Sequence, residues 1–165
     1  QFTWARLNTL TQPDPVASKQ ARMLGAELAM AHGSPARALE LLQQDVANPG
    51  RATVFLRVQA QLDTNQSVKA SDTLQIWTTD HPRDAQAWQL LARAYAAQGR
   101  TLASIRAEAE ASLAQLDYAG AMSRLRAAQD VARKGVQGAE HMEASIVDTR
   151  ARYVESLLRE QLLER

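Results

Sequence analysis

Along most of the chain, apolar residues recur every three or four positions, the spacing that gathers them on one side of an α-helix. Trp88, Leu91, Ala92 and Tyr95 fall on one face in this way, as do Tyr118, Ala121, Leu125 and Ala128. Runs of β-branched residues are short and alanine and glutamine are abundant, which favours helix over strand. Proline and glycine punctuate the pattern at Pro13, Pro15, Gly33, Pro35, Pro49, Gly50, Pro82, Gly99, Gly135 and Gly138. The pattern predicts helices over 2–11, 16–31, 35–46, 51–63, 68–78, 85–98, 102–115, 118–134 and 139–163. Several start signals are specific, because Ser, Thr and Asp accept the unpaired amides of a first helical turn. Ser34 precedes Pro35 at a first helical position, and Ser67, Asp84, Thr101 and Asp117 are further candidate caps.

The breaks are themselves periodic: Pro15, Pro49 and Pro82 lie 34 and then 33 residues apart. Two helices per unit of about 34 residues is the tetratricopeptide-repeat pattern, W-x2-L-G-x2-Y, then A-x3-F, then P. Trp88, Leu91, Ala92 and Tyr95, with Gly99 in the turn, match its first half. An earlier unit offers Leu24, Gly25 and Leu28, then Gly33, Ala38 and Leu42, closing at Pro49. Between them, Val54 and Val58, then Ala70, Leu74 and Trp77, close at Pro82. Phe2, Trp4, Leu7 and Leu10 before Pro15 read as the second helix of a partial unit, and Tyr118 to Ala128 reads as one more second-helix motif.

Each hairpin in such a repeat leaves an apolar face that the next one covers, so hairpins stack into a superhelix with a concave wall formed by the first helices. On this register the inward positions are Arg22, Ala26 and Ala29, then Phe55, Gln59 and Leu62, then Gln89, Arg93 and Ala96. The candidate partner-binding groove is therefore Arg22, Ala26, Phe55, Gln59, Leu62, Gln89 and Arg93, with Phe55 and Leu62 as apolar anchors and the polar members adding hydrogen bonds. Trp88 and Tyr95 occupy positions where the repeat fills its own core. The expected fold is all-α, a right-handed superhelix of tetratricopeptide-type hairpins with a long C-terminal capping helix. It divides into an array over 1–135 (partial unit 1–15, units at about 17–49, 50–82 and 84–116, degenerate helices to 135) and a helix within 136–165 that packs on the array.

Composition narrows the chemistry. In 165 residues there are 19 basic and 18 acidic side chains, so the net charge of +1 supplies no field that would gather phosphate backbones, and a nucleic-acid partner is not expected. The absence of cysteine removes thiol nucleophiles, disulfides and thiolate metal sites. No apolar run approaches the eighteen or so residues that span a bilayer, so direct membrane insertion is not expected. His32, His81 and His141 are far apart, and no nucleophile or acid–base pair is grouped with them, so neither an enzyme nor a metal site is expected. Arg106 and Glu110, Asp148 and Arg152, and Glu155 and Arg159 stand four apart and read as solvated helix-face pairs.

A narrower likeness lies in the run AQAWQLLARAY from Ala85 to Tyr95, then Gly99-Arg100, the alternating Ala–Glu stretch after Arg106, Leu116-Asp-Tyr-Ala-Gly-Ala and Leu125-Arg-Ala-Ala-Gln. Together with His141-Met-Glu-Ala-Ser-Ile-Val-Asp-Thr-Arg150 it resembles the C-terminal repeat domain of BepA-type periplasmic zinc metalloproteases. The resemblance implies a non-catalytic recruiting domain in the periplasm. Its partners would be outer-membrane proteins, the β-barrel assembly machinery and the parent's own protease domain. Zinc would belong to an upstream H-E-x-x-H domain and no cofactor to this chain. An independent adaptor that binds a peptide tail or helix of an unrelated complex is the alternative.

Overall fold

The computed structural model describes residues 15–43, 49–135 and 140–164, with side chains from residue 18 onward. The predicted helix over 2–11, with Trp4, lies outside these residues, as does the predicted end of the next-but-one helix at 46. Regular structure among the described residues is α-helical throughout: α1 Pro15–Ala31, α2 Pro35–Leu42, α3 Arg51–Asp63, α4 Ser67–Asp80, α5 Ala85–Ala97, α6 Thr101–Ala114, α7 Tyr118–Arg133 and α8 Glu140–Leu163. The predicted ends hold to within two residues, apart from the one beyond Leu42.

Local chemistry explains most of these ends. The Asp84 carboxylate accepts from the Ala87 amide at 3.3 Å, and that of Asp117 from the Gly120 amide at 2.8 Å. The other expected caps do not form. Ser67 and Thr101 are the first residues inside their helices, behind Gln66 and Arg100. Ser34 makes no side-chain cap. It sits at ψ 63°, further from the extended range than Asp84 at 87° or Asp117 at 77°, and its hydroxyl stops one atom short of a carboxylate's reach. Asp117→Ala is expected to lower the unfolding free energy by about 1 kcal/mol in urea titration, with Asp117→Asn retaining most of it.

Three helices end in the same hydrogen-bonded turn, in which an amide just past the helix reaches back to its last turn: Ser34 to the Ala29 carbonyl at 2.8 Å, Arg100 to Tyr95 at 3.0 Å and Asp117 to Ser112 at 2.9 Å. The turn needs one residue of left-handed backbone, supplied by Gly33 (φ 68°), Gly99 (φ 72°) and Leu116 (φ 62°). A side chain in that conformation costs about 1–2 kcal/mol, so leucine is the exception among them.

The chain divides into two compact units between Thr64 and Asn65, inside the second predicted hairpin. In the first, α1 packs on α2 and α3, and α2 on α3. Ala26, Ala38, Leu42 and Ala60 are fully buried at its centre, surrounded by Met23, Met30, Leu39, Leu41 and Leu56. Gly25 permits the close approach of α1 to α2, since a Cβ there would lie 3.2 Å from Leu41 Cδ1. Leu24 and Leu28, which fit the repeat pattern, instead face outward. The inner face of α1 runs through Met23, Ala26 and Met30, and Leu24 and Leu28 fall beside it. Arg57 closes the end of α2 by donating from Nη2 to the Leu42 carbonyl at 2.9 Å.

In the second unit each helix packs on the next, and α6 also packs on α8. Leu102, Ala109, Ala121, Leu125, Ala128, Val147, Ala151 and Val154 form its core. Tyr95 is buried as expected, its hydroxyl accepting from Gln75 Nε2 at 2.6 Å. Trp88 departs from expectation in being only half-buried, with Nε1 donating to the Pro82 carbonyl at 2.9 Å. At the start of α5 its indole closes the turn that follows α4, beside Leu113 and Ala114 at the end of α6, instead of filling the core. At α8, 24 residues and about 36 Å long, Glu143, Val147, Ala151 and Val154 turn inward.

The charge pairs also differ from the helix-face reading. Only Glu155 and Arg159 pair along the helix as expected, at 2.9 Å and exposed. Arg106 pairs with Glu143, and Arg150 embraces Glu110 with two hydrogen bonds of 2.5 and 2.7 Å. Both bridges join α6 to α8, because Arg106 and Glu110 stand on the face of α6 that α8 covers. Arg152 reaches the Asp148 backbone carbonyl at 3.4 Å, while the Asp148 carboxylate accepts from Gln129 at 2.8 Å.

Candidate functional site

Within the second unit, α5 and α7 flank α6 and leave a cleft of about 490 Å³ between them. The turns that hold α5 and α7 against α6 are set by the left-handed residues Gly99 and Leu116 and, at the start of α7, by the Asp117 cap. The floor is built of small buried residues, Ala92 from α5 and Ser104, Ala111 and Ser112 from α6. Small floor residues let a peptide backbone come close, and Ser104 keeps its hydroxyl on the Ala92 carbonyl at 3.0 Å. The rim is long and polar: Gln89 and Arg93 on α5, Glu108 on α6, Gln115 just past the end of α6, and Arg124 on α7. Arg124 Nε stands 3.9 Å from Glu108 Oε2, a loose contact with both side chains largely in solvent, so it leaves that arginine able to exchange partners.

The candidate residues divide between the two units. Gln89 and Arg93, one turn apart on α5, share this cleft with Ala96. Gln89 and Arg93 are exposed. In the first unit Ala26 is fully buried within the core, Arg22 is half-buried, Gln59 is exposed and Leu62 is half-buried. Phe55 is 8% exposed, with the Arg51 guanidinium 4.2 Å from the centre of its ring. Sequence reasoning missed Glu108, Ser112, Gln115 and Arg124. The signal was present in the polar and small positions of α6 and α7, but α7 was assigned the role of a second helix, whereas it supplies the wall opposite α5.

Chemically, the cleft offers amide donors and acceptors, two guanidinium groups and a carboxylate over a shallow floor. Such groups are able to hydrogen-bond and to pair with polar and charged groups of a ligand. His32, His81 and His141 are all exposed, and His81 stacks on Trp77 with ring centres 3.9 Å apart. Among the described residues no group of three or more His, Asp or Glu side chains is placed to hold a metal ion, and no helix is long and apolar enough to cross a membrane.

Among the described residues the protein is all-α, with neighbouring helices packed on one another within each unit. Compared with known proteins, the chain matches no family model and no curated sequence.

Proposed function

We propose that this chain is a non-catalytic protein-interaction domain of tetratricopeptide type, and that it receives an extended protein segment in the cleft between α5 and α7. The observation that carries this reading is the pairing of a small-residue floor with a rim of Gln89, Arg93, Gln115 and Arg124. An extended backbone lies on such a floor, and its amides and side chains meet the rim. The repeat spacing of Pro15, Pro49 and Pro82 supports the same reading. The motifs from Ala85 to Gln129 and from His141 to Arg150 extend it to a BepA-like periplasmic protein, with outer-membrane proteins or their assembly machinery as partners and zinc held elsewhere in the parent.

The test uses an unfolded outer-membrane β-barrel protein as probe. Arg93→Glu is expected to weaken its binding about tenfold or more, while the unfolding midpoint stays where it is, because Arg93 is exposed and has no ion pair among the described residues. A photo-crosslinker at Ser112 or Gln115 is expected to capture the probe, and one at Lys134 is not. Equal binding by Arg93→Glu, or adducts spread evenly over all three positions, would remove the cleft as the binding site.

A further inference from the structure

The turn between α6 and α7 contains a residue that the fold does not explain. Elsewhere among the described residues, left-handed backbone is occupied by glycine or asparagine: Gly33, Asn65, Gly99 and Gly135. Leu116 alone among them carries an apolar side chain there, and that side chain is 70% exposed. Strain that neither packing nor a hydrogen bond of the side chain offsets points to a role outside the monomer.

Leu116 sits at the centre of an elongated groove on the second unit. Two adjoining hollows of about 240 and 290 Å³ share Leu116, Tyr118 and Leu157. The first continues past Trp88 and the half-exposed Tyr153 to Arg83; the second continues along α8 to Glu160 and Glu164. The groove is therefore apolar in the middle, basic at one end and acidic at the other. Arg150 adds no free charge to the basic end, since both of its bonds go to Glu110. Arg83, Glu160 and Glu164 have no ion pair among the described residues.

A two-fold contact demands that a surface be complementary to itself. A groove with opposite charges at its ends and a shared apolar centre meets that demand. Turned antiparallel about Leu116 and Leu157, it sets Arg83 of each copy against the acidic end of the other. We infer that this groove is a homodimer contact, in which a second copy of the chain docks antiparallel about Leu116 and Leu157. It shares no lining residue with the cleft and does not depend on what the cleft binds.

Sedimentation equilibrium of the whole chain is expected to show a monomer–dimer equilibrium below about 100 µM. Leu116→Gly is expected to raise the dissociation constant about tenfold or more, as the loss of one buried leucine from a contact does. The same substitution is expected to keep or raise the unfolding temperature of the monomer, because glycine is at ease where leucine is strained. Arg83→Glu, and separately Glu160→Arg with Glu164→Arg, are each expected to weaken the dimer, and all three together to restore it. A chain that stays monomeric to that concentration, a dimer indifferent to Leu116→Gly, a fall in monomer stability with Leu116→Gly, or a triple variant that does not recover would overturn the proposal.

Discussion

Arg106→Ala is expected to lower the unfolding free energy by about 3–5 kcal/mol. The side chains of Arg106 and Glu143 are 15% and 8% exposed, so the pair is almost dry. Removing the guanidinium leaves a carboxylate enclosed between α6 and α8 with its charge uncompensated, and the desolvation of that group then falls on the folded state alone. Replacing both partners, as in Arg106→Met with Glu143→Leu, is expected to recover most of the loss, since matched apolar groups of similar volume need no compensation. Glu110→Ala is the milder comparison: its partner Arg150 is 32% exposed and can turn its charge to water. Urea unfolding followed by tryptophan fluorescence reads all three. A double variant as unstable as Arg106→Ala would show that side-chain shape, and not the stranded charge, sets the cost.

The second large effect is expected at Leu125→Ala, a loss of about 2–5 kcal/mol. Leu125 is fully buried in the middle of α7, between Ala121 and Ala128 on the same face, and belongs to the core that α6 and α8 complete from the other side. Ala121 and Ala128 on the same face are already small, while the partly buried Met122 packs against the same core and can relax into part of the vacated space. The loss should therefore fall within that range and short of its upper end. Ile76→Ala, at a residue 70% exposed on α4, is the matched control and should stay within about 0.5 kcal/mol of the parent. Similar losses at both positions would mean that Leu125 does not occupy the core described above.

Helix limits were legible because they are set by chemistry within a few residues. Pro35 opens α2, Asp84 and Asp117 cap α5 and α7, and Gly33 and Gly99 take the left-handed position that ends α1 and α5. The apolar faces of α5 and α7 were legible for the same reason: Leu91 and Tyr95, and Ala121, Leu125 and Ala128, recur at helical spacing and are buried. Ser67 and Thr101 misled because residues of that type are equally at home one position inside a helix. Trp88 misled because a repeat position says which face a side chain takes, not how completely its neighbours enclose it. At the cleft, Gln89 and Arg93 were found from the register of α5, whereas Arg124 was not, since its place depends on which side of α6 receives α7.

The sequence by itself determined where the chain is helical, where it turns and which face of most helices is apolar, because hydrogen bonding, capping and the 3.6-residue period act within a turn or two of each residue. Tertiary structure alone decided which charges meet. Arg106 and Glu110 are four apart on one helix, yet each finds its partner on α8, 37 and 40 residues away along the chain. It also decided that α5 and α7 stand apart over α6 to form a cleft, and that Leu116 is held in strain beside Tyr118 and Leu157. Such outcomes rest on how whole helices settle against one another, and that balance of burial and desolvation is not written in any local run of residues.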